Sequence, residues 1–432
     1  MGAAGRDFHN FNVCFSKNSA YKVVAFTANQ IPDTANQIPD IDGRKYKGIP
    51  IYPEEELSEL IKKKKVREVF FSYSDISRDE VMEKAAIVMA AGASFTLLGK
   101  EETMLAAKKP VIAVTAVRTG CGKSVVSQKI ADYFSKKGLK IGIARHPMPY
   151  GDLEKQVCQK FTCLDDLAKQ NCTIEEREEY EPYLEKGLTV YAGTDYEKIL
   201  DALEKDNDLI LWDGGNNDFP FYRPDLYIAI ADAYRPGHEV SYFPGEINFR
   251  SANVIIISKI SSDSRRSVKT ILENASVVNP GAKILKVKST LTLDRPDLVK
   301  NQRVLVVEDG PSMTHGGLSR GAGFDAARKF GAKTIVDPRD YLEGSLKKVL
   351  EKYPHMEKIL PAMGYDKKQM RELERVINKA KCDSVVLATP ARLEKILKIN
   401  KPIASVRYTF DEIGKEKLTD VLADFSRRYF KR

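Results

Sequence analysis

The sequence predicts an α/β fold, in which short apolar strands alternate with helices along all 432 residues. Three observations carry this prediction. Apolar, β-branched runs within 110–115, 208–213 and 253–259 have the continuous hydrophobicity of parallel strands that are buried on both faces. Stretches with helical periodicity, such as 78–91, lie between runs of this kind. A glycine-bearing loop joins the first of these strands to the helix that follows it.

This loop has the sequence RTGCGKS and spans 118–124. Its glycines let backbone N–H groups turn toward phosphate oxygens, and the helix N-terminus behind it adds positive potential. Lys123 is placed to reach β- and γ-phosphates, and Ser124 is placed to hold Mg²⁺. The full P-loop pattern has a glycine five residues before Gly122, where this chain has Val117. The residues predicted to bind the nucleotide are Thr119, Gly120, Cys121, Gly122, Lys123, Ser124 and Val125.

The strand at 208–213 predicts the metal partner of this loop. It is an apolar run that ends in Asp213, an arrangement in which the carboxylate lies beside a P-loop and holds the Mg²⁺ shell. A buried strand that ends in an aspartate turn is the alternative. Guanine-specific P-loop proteins carry an asparagine and an aspartate at the end of the corresponding strand, where this chain has Ser258 and Ser261. We therefore expect ATP, with Mg²⁺, as the cofactor.

Three regions are expected along the chain: a Rossmann-like N-terminal domain at 1–108, a P-loop nucleotide-binding domain with a parallel sheet at 109–286, and a C-terminal α/β region at 287–432. The glycine loop at the start lacks a preceding strand, so a phosphate or substrate contact is favoured over NAD. The heptapeptide TANQIPD occurs twice in a row within 27–40 and is expected to be a loop insertion. The acid- and base-rich stretch 163–186 is expected to be a solvent-facing helical excursion.

Charged residues at the expected strand ends are candidates for binding an anionic substrate. Ligands of open α/β sheets lie at the carboxyl ends of the strands, and arginine binds phosphates in a bidentate manner. Four of the five histidines, at positions 9, 146, 238 and 315, lie in or beside loops with Gly or Pro, which favours one composite polar site over four solvated side chains. Glu308 ends a further strand and is a candidate metal ligand with Ser124 and Asp213. The predicted substrate contacts are Arg6, His9, Arg118, Arg145, His146, Tyr150, Arg235 and His315.

The composition is that of a soluble globular protein, with 43% hydrophobic and 30% charged residues, and its Lys, Glu and Arg content is compatible with a thermophile. The net charge of +9 comes without an arginine-rich tail, which favours small polyanionic ligands over nucleic acid. No apolar run approaches the roughly 18–20 residues of a membrane span and no signal peptide is recognisable, so a cytoplasmic protein is expected. Six scattered cysteines without paired CxxC spacing argue against a disulfide framework and against structural zinc.

Together these motifs resemble the cyclic 2,3-diphosphoglycerate synthetases, an archaeal family with bacterial relatives. The resemblance covers nearly the full length and is carried by GAAGRDFHNFN, AVRTGCGKS, ARHPMPYGDL, WDGGNND, PGEINFR and VEDGPSMTHGG. It implies an ATP- and Mg²⁺-dependent ligase that closes 2,3-diphosphoglycerate into a cyclic phosphoanhydride and releases ADP and phosphate. The expected partners are accordingly this phosphorylated small molecule and a second copy of the chain in a homodimer, with neither nucleic acid nor a membrane.

Under this hypothesis Lys123, with Mg²⁺ on Ser124 and Asp213, stabilises the transferring phosphoryl group. Arginines at positions 118, 145 and 235 clamp the substrate's two phosphates, and His146 shares that load or moves a proton. Two alternatives stay open: a nucleotide-dependent switch or metallochaperone, and a small-molecule kinase that stops after phosphoryl transfer. The predicted catalytic residues are Lys123, Arg145, His146 and Asp213.

Overall fold

The computed structural model of the protein describes residues 1–2, 5–28, 45–145, 156–215, 218–314, 318–363, 367–389 and 391–430. Its strands are β1 Phe26–Ala28, β2 Lys45–Tyr46, β3 Ile49–Pro53, β4 Glu68–Phe70, β5 Ile76–Ser77, β6 Ser94–Thr96, β7 Val111–Ala116, β8 Ile141–Arg145, β9 Gln159–Phe161, β10 Thr189–Ala192, β11 Leu209–Asp213, β12 Leu226–Asp232, β13 Tyr242–Phe243, β14 Val254–Ser258, β15 Lys283–Lys288, β16 Leu291–Leu293, β17 Arg303–Asp309, β18 Thr334–Ile335, β19 Leu360–Ala362, β20 Ser384–Ala388, β21 Ile403–Tyr408 and β22 Asp411–Ile413. Its α-helices are α1 Arg6–Asn10, α2 Leu57–Lys64, α3 Arg78–Ala90, α4 Lys100–Thr103, α5 Lys123–Ser135, α6 Leu164–Lys169, α7 Ile174–Leu184, α8 Tyr196–Asp206, α9 Gly245–Ser251, α10 Arg265–Val278, α11 Gly310–Thr314, α12 Ala322–Lys329, α13 Gly344–Lys352, α14 Lys367–Lys379, α15 Leu393–Ile396 and α16 Leu418–Tyr429. No helix among these combines the length and the apolarity that crossing a bilayer requires, within the ranges just given.

The chain divides into two compact units. The first comprises 1–162, 187–287 and 412–432, and the second comprises 163–186 and 288–411. The first unit therefore contains the whole of the expected N-terminal region, most of the expected P-loop region and the last helix of the chain. The expected division into three regions at 108/109 and 286/287 stays a prediction.

A nine-stranded sheet forms the centre of the first unit and confirms the predicted α/β fold with a P-loop-type parallel sheet. Its strand order is β22–β15–β14–β12–β7–β11–β8–β10–β9, and the pairs from β15 to β10 are parallel, while β9 is antiparallel to β10. All six residues of β7 are buried, as expected for a central strand that is covered on both faces. The strands that follow β7 in the chain lie on both sides of it, so the loop after β7 lies where the strand order reverses. Open α/β sheets bind ligands at such a point.

The N-terminal part of the first unit contains the small parallel pairs β1–β3 and β4–β6. The sequence has no strand before the glycine loop at its start, and in the structure Met1 and Gly2 precede this loop. The Met1 amine donates to the Phe70 carbonyl at 2.7 Å, and the Gly2 N–H donates to the Thr27 carbonyl at 3.0 Å. Gly2 has φ of +108°, and a Cβ there would lie 3.0 Å from the Ser72 backbone. The position therefore requires glycine. Most of the TANQIPD duplication lies outside the described residues.

The second unit has a sheet of its own, with the order β16–β21–β20–β17–β18 and with β19 also paired to β17. Leu305, Val307 and Val385 lie at the centre of its core. The stretch 163–186 belongs to this unit, and the expectation of a solvent-facing excursion is wrong: Tyr180 and Tyr183 of α7 are fully buried. Their aromatic rings supply the apolar area that the charged neighbours lack, which explains why this helix packs into a core.

Candidate functional site

The P-loop of the first unit joins β7 to α5 through residues 117–122. Gly120 and Gly122 have φ of +79° and +101°, in the left-handed region that glycine adopts without strain. Lys123, Ser124 and Val125 form the first turn of α5, where N–H groups have no acceptor within the helix. Gly122 and Ser124 are exposed and Lys123 is half-buried. The loop thus has the backbone geometry of an anion site at an open helix N-terminus.

Val117 stands where the full P-loop pattern has glycine. Its backbone is in close contact with a glycine from another segment, Gly245. A Cβ on Gly245, the first residue of α9, would lie 2.1 Å from the Val117 carbonyl oxygen. No side chain fits at that separation, so α9 packs directly on the backbone of the loop. Asn248 of the same helix donates to the Ala116 carbonyl at 3.2 Å, which fixes the end of β7 as well.

A charge network around the buried Asp232 carboxylate also holds the loop. Arg235 donates to the Thr119 carbonyl at 2.7 Å and to Asp232 at 2.9 Å. Lys259 also donates to Asp232, at 3.0 Å. Burial acts to raise the pKa of Asp232, but Lys259 and Arg235 hold it below its ordinary value, so the carboxylate is ionised. The Cys121 thiol is buried within this network, which raises its pKa, and so it is an inert packing group rather than a nucleophile.

Arg118, at the start of the loop, is buried and has three partners. Its Nε donates to Asp75 Oδ1 at 2.6 Å, its Nη1 donates to His238 Nδ1 at 2.9 Å, and its guanidinium lies 3.7 Å from the Tyr242 ring centroid. Because a guanidinium can only donate, His238 Nδ1 is the acceptor. Burial, together with the charges of Arg118 and Arg235, lowers the pKa of His238 to about 4, and the ring is neutral near pH 7.

Asp213 and Arg145 form a buried ion pair at the ends of β11 and β8. The register pairs Asp213 with Arg145 on one side and with Val114 of β7 on the other, so the carboxylate lies next to the strand that leads into the P-loop. The Arg145 guanidinium contacts the Asp213 carboxylate, and both side chains are almost fully buried. Two predicted site residues are thus brought together next to the P-loop strand, as the strand-end pattern indicated.

Arg6 and His9 lie elsewhere than at the P-loop. The Arg6 Nε donates to Asp218 at 2.9 Å, and its guanidinium lies 3.7 Å from the Phe219 ring centroid. His9 Nε2 is 2.6 Å from the Thr103 carbonyl oxygen, and its ring stacks on Phe221 at 4.0 Å. Both side chains are buried and hold α1 against 218–221, and their predicted substrate contacts stay predictions.

Glu308 lies in the second unit. It is buried, its Oε1 accepts the Phe324 N–H at 2.8 Å, and the Gly321 and Gly323 N–H groups also stabilise its charge, so the carboxylate caps the N-terminus of α12. Burial raises its pKa to about 7 against these hydrogen bonds. Its predicted role as a metal ligand stays a prediction. His146, Tyr150 and His315 lie outside the described residues.

Sequence reasoning missed Asp75, Asp232, Lys259 and Gly245. Asp232 ends an apolar strand exactly as Asp213 does, so the same pattern could have found it. Asp75 and Gly245 carry no local signal, because their role comes from the tertiary contact with the loop. Among the residues that the structure describes, no three His, Cys, Asp or Glu side chains are grouped to hold a metal ion.

No family model matches the chain. It is 54% identical over 430 residues to the arginine synthetase ArcE of Thermococcus kodakarensis, an alignment that covers 99% of this chain and 96% of that protein. Among solved structures, LpxK of Aquifex aeolicus in complex with ATP matches with a TM-score of 0.43 at 14% identity, over 76% of this chain and 91% of that one. The MinC:MinD complex of Aquifex aeolicus matches with a TM-score of 0.25 at 16% identity, over 41% of this chain and 81% of that one. Likenesses this distant say nothing about the ligand of this chain.

The resemblance to cyclic 2,3-diphosphoglycerate synthetase is wrong, because the relative that matches nearly the full length is an arginine synthetase. The expected ring closure is therefore wrong, and so is 2,3-diphosphoglycerate as the partner. The rest of the partner prediction, a homodimer that binds neither nucleic acid nor a membrane, is therefore not retained. The motifs misled because a P-loop and a strand-end aspartate bind the phosphoryl donor, which enzymes with different acceptors share.

Proposed function

We propose an activity from the following premise: the chain belongs to the family of the arginine synthetase ArcE, with which it shares 54% identity over nearly its whole length. The chain is an ATP-dependent synthetase that forms arginine, and the P-loop of the first unit binds the triphosphate. The observation that supports this most directly is the open N-terminus of α5, reached through a loop with two left-handed glycines, at the point where the strand order reverses.

The chemistry of arginine formation explains why a phosphate site is useful. A guanidinium group differs from a ureido group by a nitrogen in place of an oxygen, and a ureido oxygen does not leave unaided. Transfer of the γ-phosphoryl group to that oxygen releases ADP and creates a leaving group. A nitrogen nucleophile then attacks the carbon, loses a proton and displaces phosphate, which carries the oxygen away. Lys123 would stabilise the charge on the transferring group.

Mg²⁺ fits the residues beside the loop. This ion takes one or two protein oxygens and completes its shell with water and phosphate oxygens. The exposed Ser124 lies in the first turn of α5, and Asp213 ends a strand adjacent to β7. When bound there, Mg²⁺ would neutralise phosphate charge. Asp213 is paired with Arg145, so we expect the guanidinium and the ion to share this carboxylate.

Both arginines beside the loop are assigned a positioning role. Arg235 is half-buried and donates to the Thr119 carbonyl and to Asp232, so it positions the loop. Arg118 is buried and donates to Asp75 and to His238, so it holds the start of the loop in place. His238 is neutral and holds Arg118 by accepting its N–H, which orients the guanidinium.

The test is arginine formation by the full chain from ATP, Mg²⁺, ammonium and L-citrulline, the ureido analogue of arginine, followed by chromatography of arginine and ADP. Lys123→Ala should lower the rate about a thousandfold, the loss typical of removing one charge stabiliser from a transition state. Lys136→Ala, an exposed lysine just beyond the other end of α5, is the matched control and should retain full activity. Lack of arginine formation by the wild-type chain, or more than a tenth of the rate in Lys123→Ala, would overturn the proposal.

A further inference from the structure

A cavity of about 480 Å³ lies in the N-terminal part of the first unit, away from the P-loop residues. Its walls come from α1, β1, α2 and β4, and from the segment 20–25. This volume is within the range of pockets that hold small molecules, about 300–1,000 Å³. The proposed synthetase chemistry makes no use of it.

Helix α1 presents opposite faces to two surroundings. Arg6 and His9, three residues apart, contact Asp218 and Thr103. Asp7 and Asn10 have the same spacing one position later and line the cavity. The sequence RDFHN therefore carries two functions in one turn, anchoring through one face and lining a cavity with the other.

Three buried polar atoms in this cavity accept or donate no hydrogen bond within the described part of the chain. They are Asp7 Oδ2, Asn10 Oδ1 and Thr27 Oγ1, on side chains only 6%, 3% and 4% exposed. Buried polar atoms almost always have partners, so three on one cavity wall indicate a missing ligand. The other oxygen of Asp7 is satisfied by the N–H groups of Gly5 and Phe8.

The charge at Asp7 requires a donor-rich partner. Burial raises its pKa to about 6, although the nearby Met1 ammonium and the backbone N–H groups lower it. Near pH 8 the carboxylate is thus ionised while it is buried, which is costly unless a cation or several N–H groups face it. Burial lowers the pKa of the Met1 amine below its ordinary value, and this amine is bonded to the Phe70 carbonyl.

The other lining residues of the cavity are of two kinds. Many are apolar or aromatic, with Phe15, Phe26 and Phe70 among them. The exposed cations Lys22, Lys64, Lys65 and Arg67 belong to the same lining. A ligand that combines N–H donors, an apolar body and an anionic group would match all three kinds of lining residue.

We propose that this cavity is a binding site for a small molecule with an N–H-rich head, an apolar body and an anionic tail. The head is bound by Asp7, Asn10 and Thr27, and the tail by the exposed lysines of the lining. Two sources offer this chemistry: an amino acid with a cationic side chain, for which L-arginine is the probe, and a guanine mononucleotide, for which GMP is the probe.

The experiment is calorimetric titration of the full chain at pH 8 with each probe, for the wild type, Asp7→Asn and Thr27→Val. Hydrogen bonds to a charged group predict that Asp7→Asn weakens binding of one probe about tenfold or more, and that Thr27→Val weakens it severalfold. Both substitutions replace an oxygen that has no hydrogen-bond partner among the described residues, so melting temperatures without ligand should stay the same or rise. Asp201→Asn, an exposed acid-to-amide change in α8, is the matched control.

Each outcome decides the proposal. Binding of either probe that Asp7→Asn and Thr27→Val weaken supports it and identifies the source. If neither probe binds up to millimolar concentration, or if binding is the same in both variants, the proposal is overturned. Lys123→Ala separates this site from the P-loop, because it should lower the rate of arginine synthesis about a thousandfold and leave this binding unchanged.

Discussion

The two units each contain a strand, a glycine-bearing loop and a helix N-terminus, but they satisfy the helix in opposite ways. At α5 the first turn is exposed at Ser124, and the strand-end carboxylates near the loop are both paired with cations, Asp213 with Arg145 and Asp232 with Arg235 and Lys259. At α12 the chain supplies its own anion, because the Glu308 carboxylate accepts the first N–H groups. A Cβ on Gly321 would lie 2.5 Å from this carboxylate, so glycine there permits the internal cap. A helix N-terminus thus becomes a phosphate site only where the protein leaves it without an internal anion.

The carboxylates at the strand ends also differ in their partners: Asp213 is paired with a guanidinium, whereas Glu308 accepts backbone N–H groups. Removing the guanidinium partner of Asp213 should have the largest effect on stability. Arg145→Met leaves Asp213 as a buried charge without its guanidinium, so we expect the first unit to lose about 3–5 kcal/mol. Chemical unfolding followed by the fluorescence of Trp212, the single tryptophan, measures this. The double variant Arg145→Met/Asp213→Leu should recover at least half of the loss. Additive losses would show that the pair is not coupled.

The internal cap of the second unit should show in the pH dependence of stability. The folded pKa of Glu308 is raised to about 7 by burial, so the protonated form favours folding. Its contribution is complete below the ordinary glutamate pKa and is lost as pH rises from about 4.5 to about 7, about 3 kcal/mol in all. Glu308→Gln keeps an acceptor and does not titrate, so hydrogen exchange in 303–330 should lose this slope. Glu176, whose pKa burial also raises to about 7, is present in both proteins and cancels. An unchanged slope would contradict the assignment.

An anion placed at the open helix should convert it into the capped kind. Ser124→Asp puts a carboxylate into the first turn of α5, where it stabilises the helix and repels phosphate. We expect ATP affinity to fall about a hundredfold, about 2.7 kcal/mol, with an unchanged or higher melting temperature. Ser135→Asp, the same change in the last turn of α5, should leave ATP affinity intact. Calorimetry and thermal melts test both, and equal affinities in the two variants would remove the phosphate site from this helix end.

Weakening the hydrogen bonds that support the P-loop should have the smallest effect of the four changes. Asp75 Oδ1 accepts from Arg118 and Oδ2 accepts the Thr119 N–H at 3.4 Å. Asp75→Asn keeps the shape and removes the charge, so the KM for ATP should rise about tenfold, about 1.4 kcal/mol, while kcat changes less. Asp201→Asn should change neither constant. A fall in kcat alone would mean that Asp75 acts on the reaction and not on loop position.

The sequence predicts those elements of the fold whose formation depends on residues close together in the chain. The strands at 110–115 and 208–213 are confirmed as Val111–Ala116 and Leu209–Asp213, because continuous apolar runs have no other place than a covered sheet. The bond between Arg145 and Asp213 depends on strand register, which forms only when distant segments pair. The same holds for α7, whose charged sequence hides two buried tyrosines.

The substrate was beyond local patterns for a different reason. In our proposal Lys123, Ser124 and Asp213 serve the phosphoryl donor, and motifs of this kind are the same for many acceptors. Arg6 and His9 show a second limit: the sequence does not reveal that both side chains are buried and hold α1, while their predicted substrate contacts stay predictions. An arginine next to a glycine loop looks the same in sequence whether it faces a ligand or an internal aspartate.

The contact between Gly245 and Val117 changes how genetic data on this protein should be interpreted. Any side chain at 245 meets the main chain of the P-loop, not a side chain that could be trimmed in compensation. A second-site change at 117 therefore cannot rescue a substitution at 245, and we expect no correlated substitutions at these two positions. In a mutational screen for lost nucleotide binding, a residue of α9 would score with the loop itself, although nothing in its neighbourhood along the chain marks it as part of a nucleotide site.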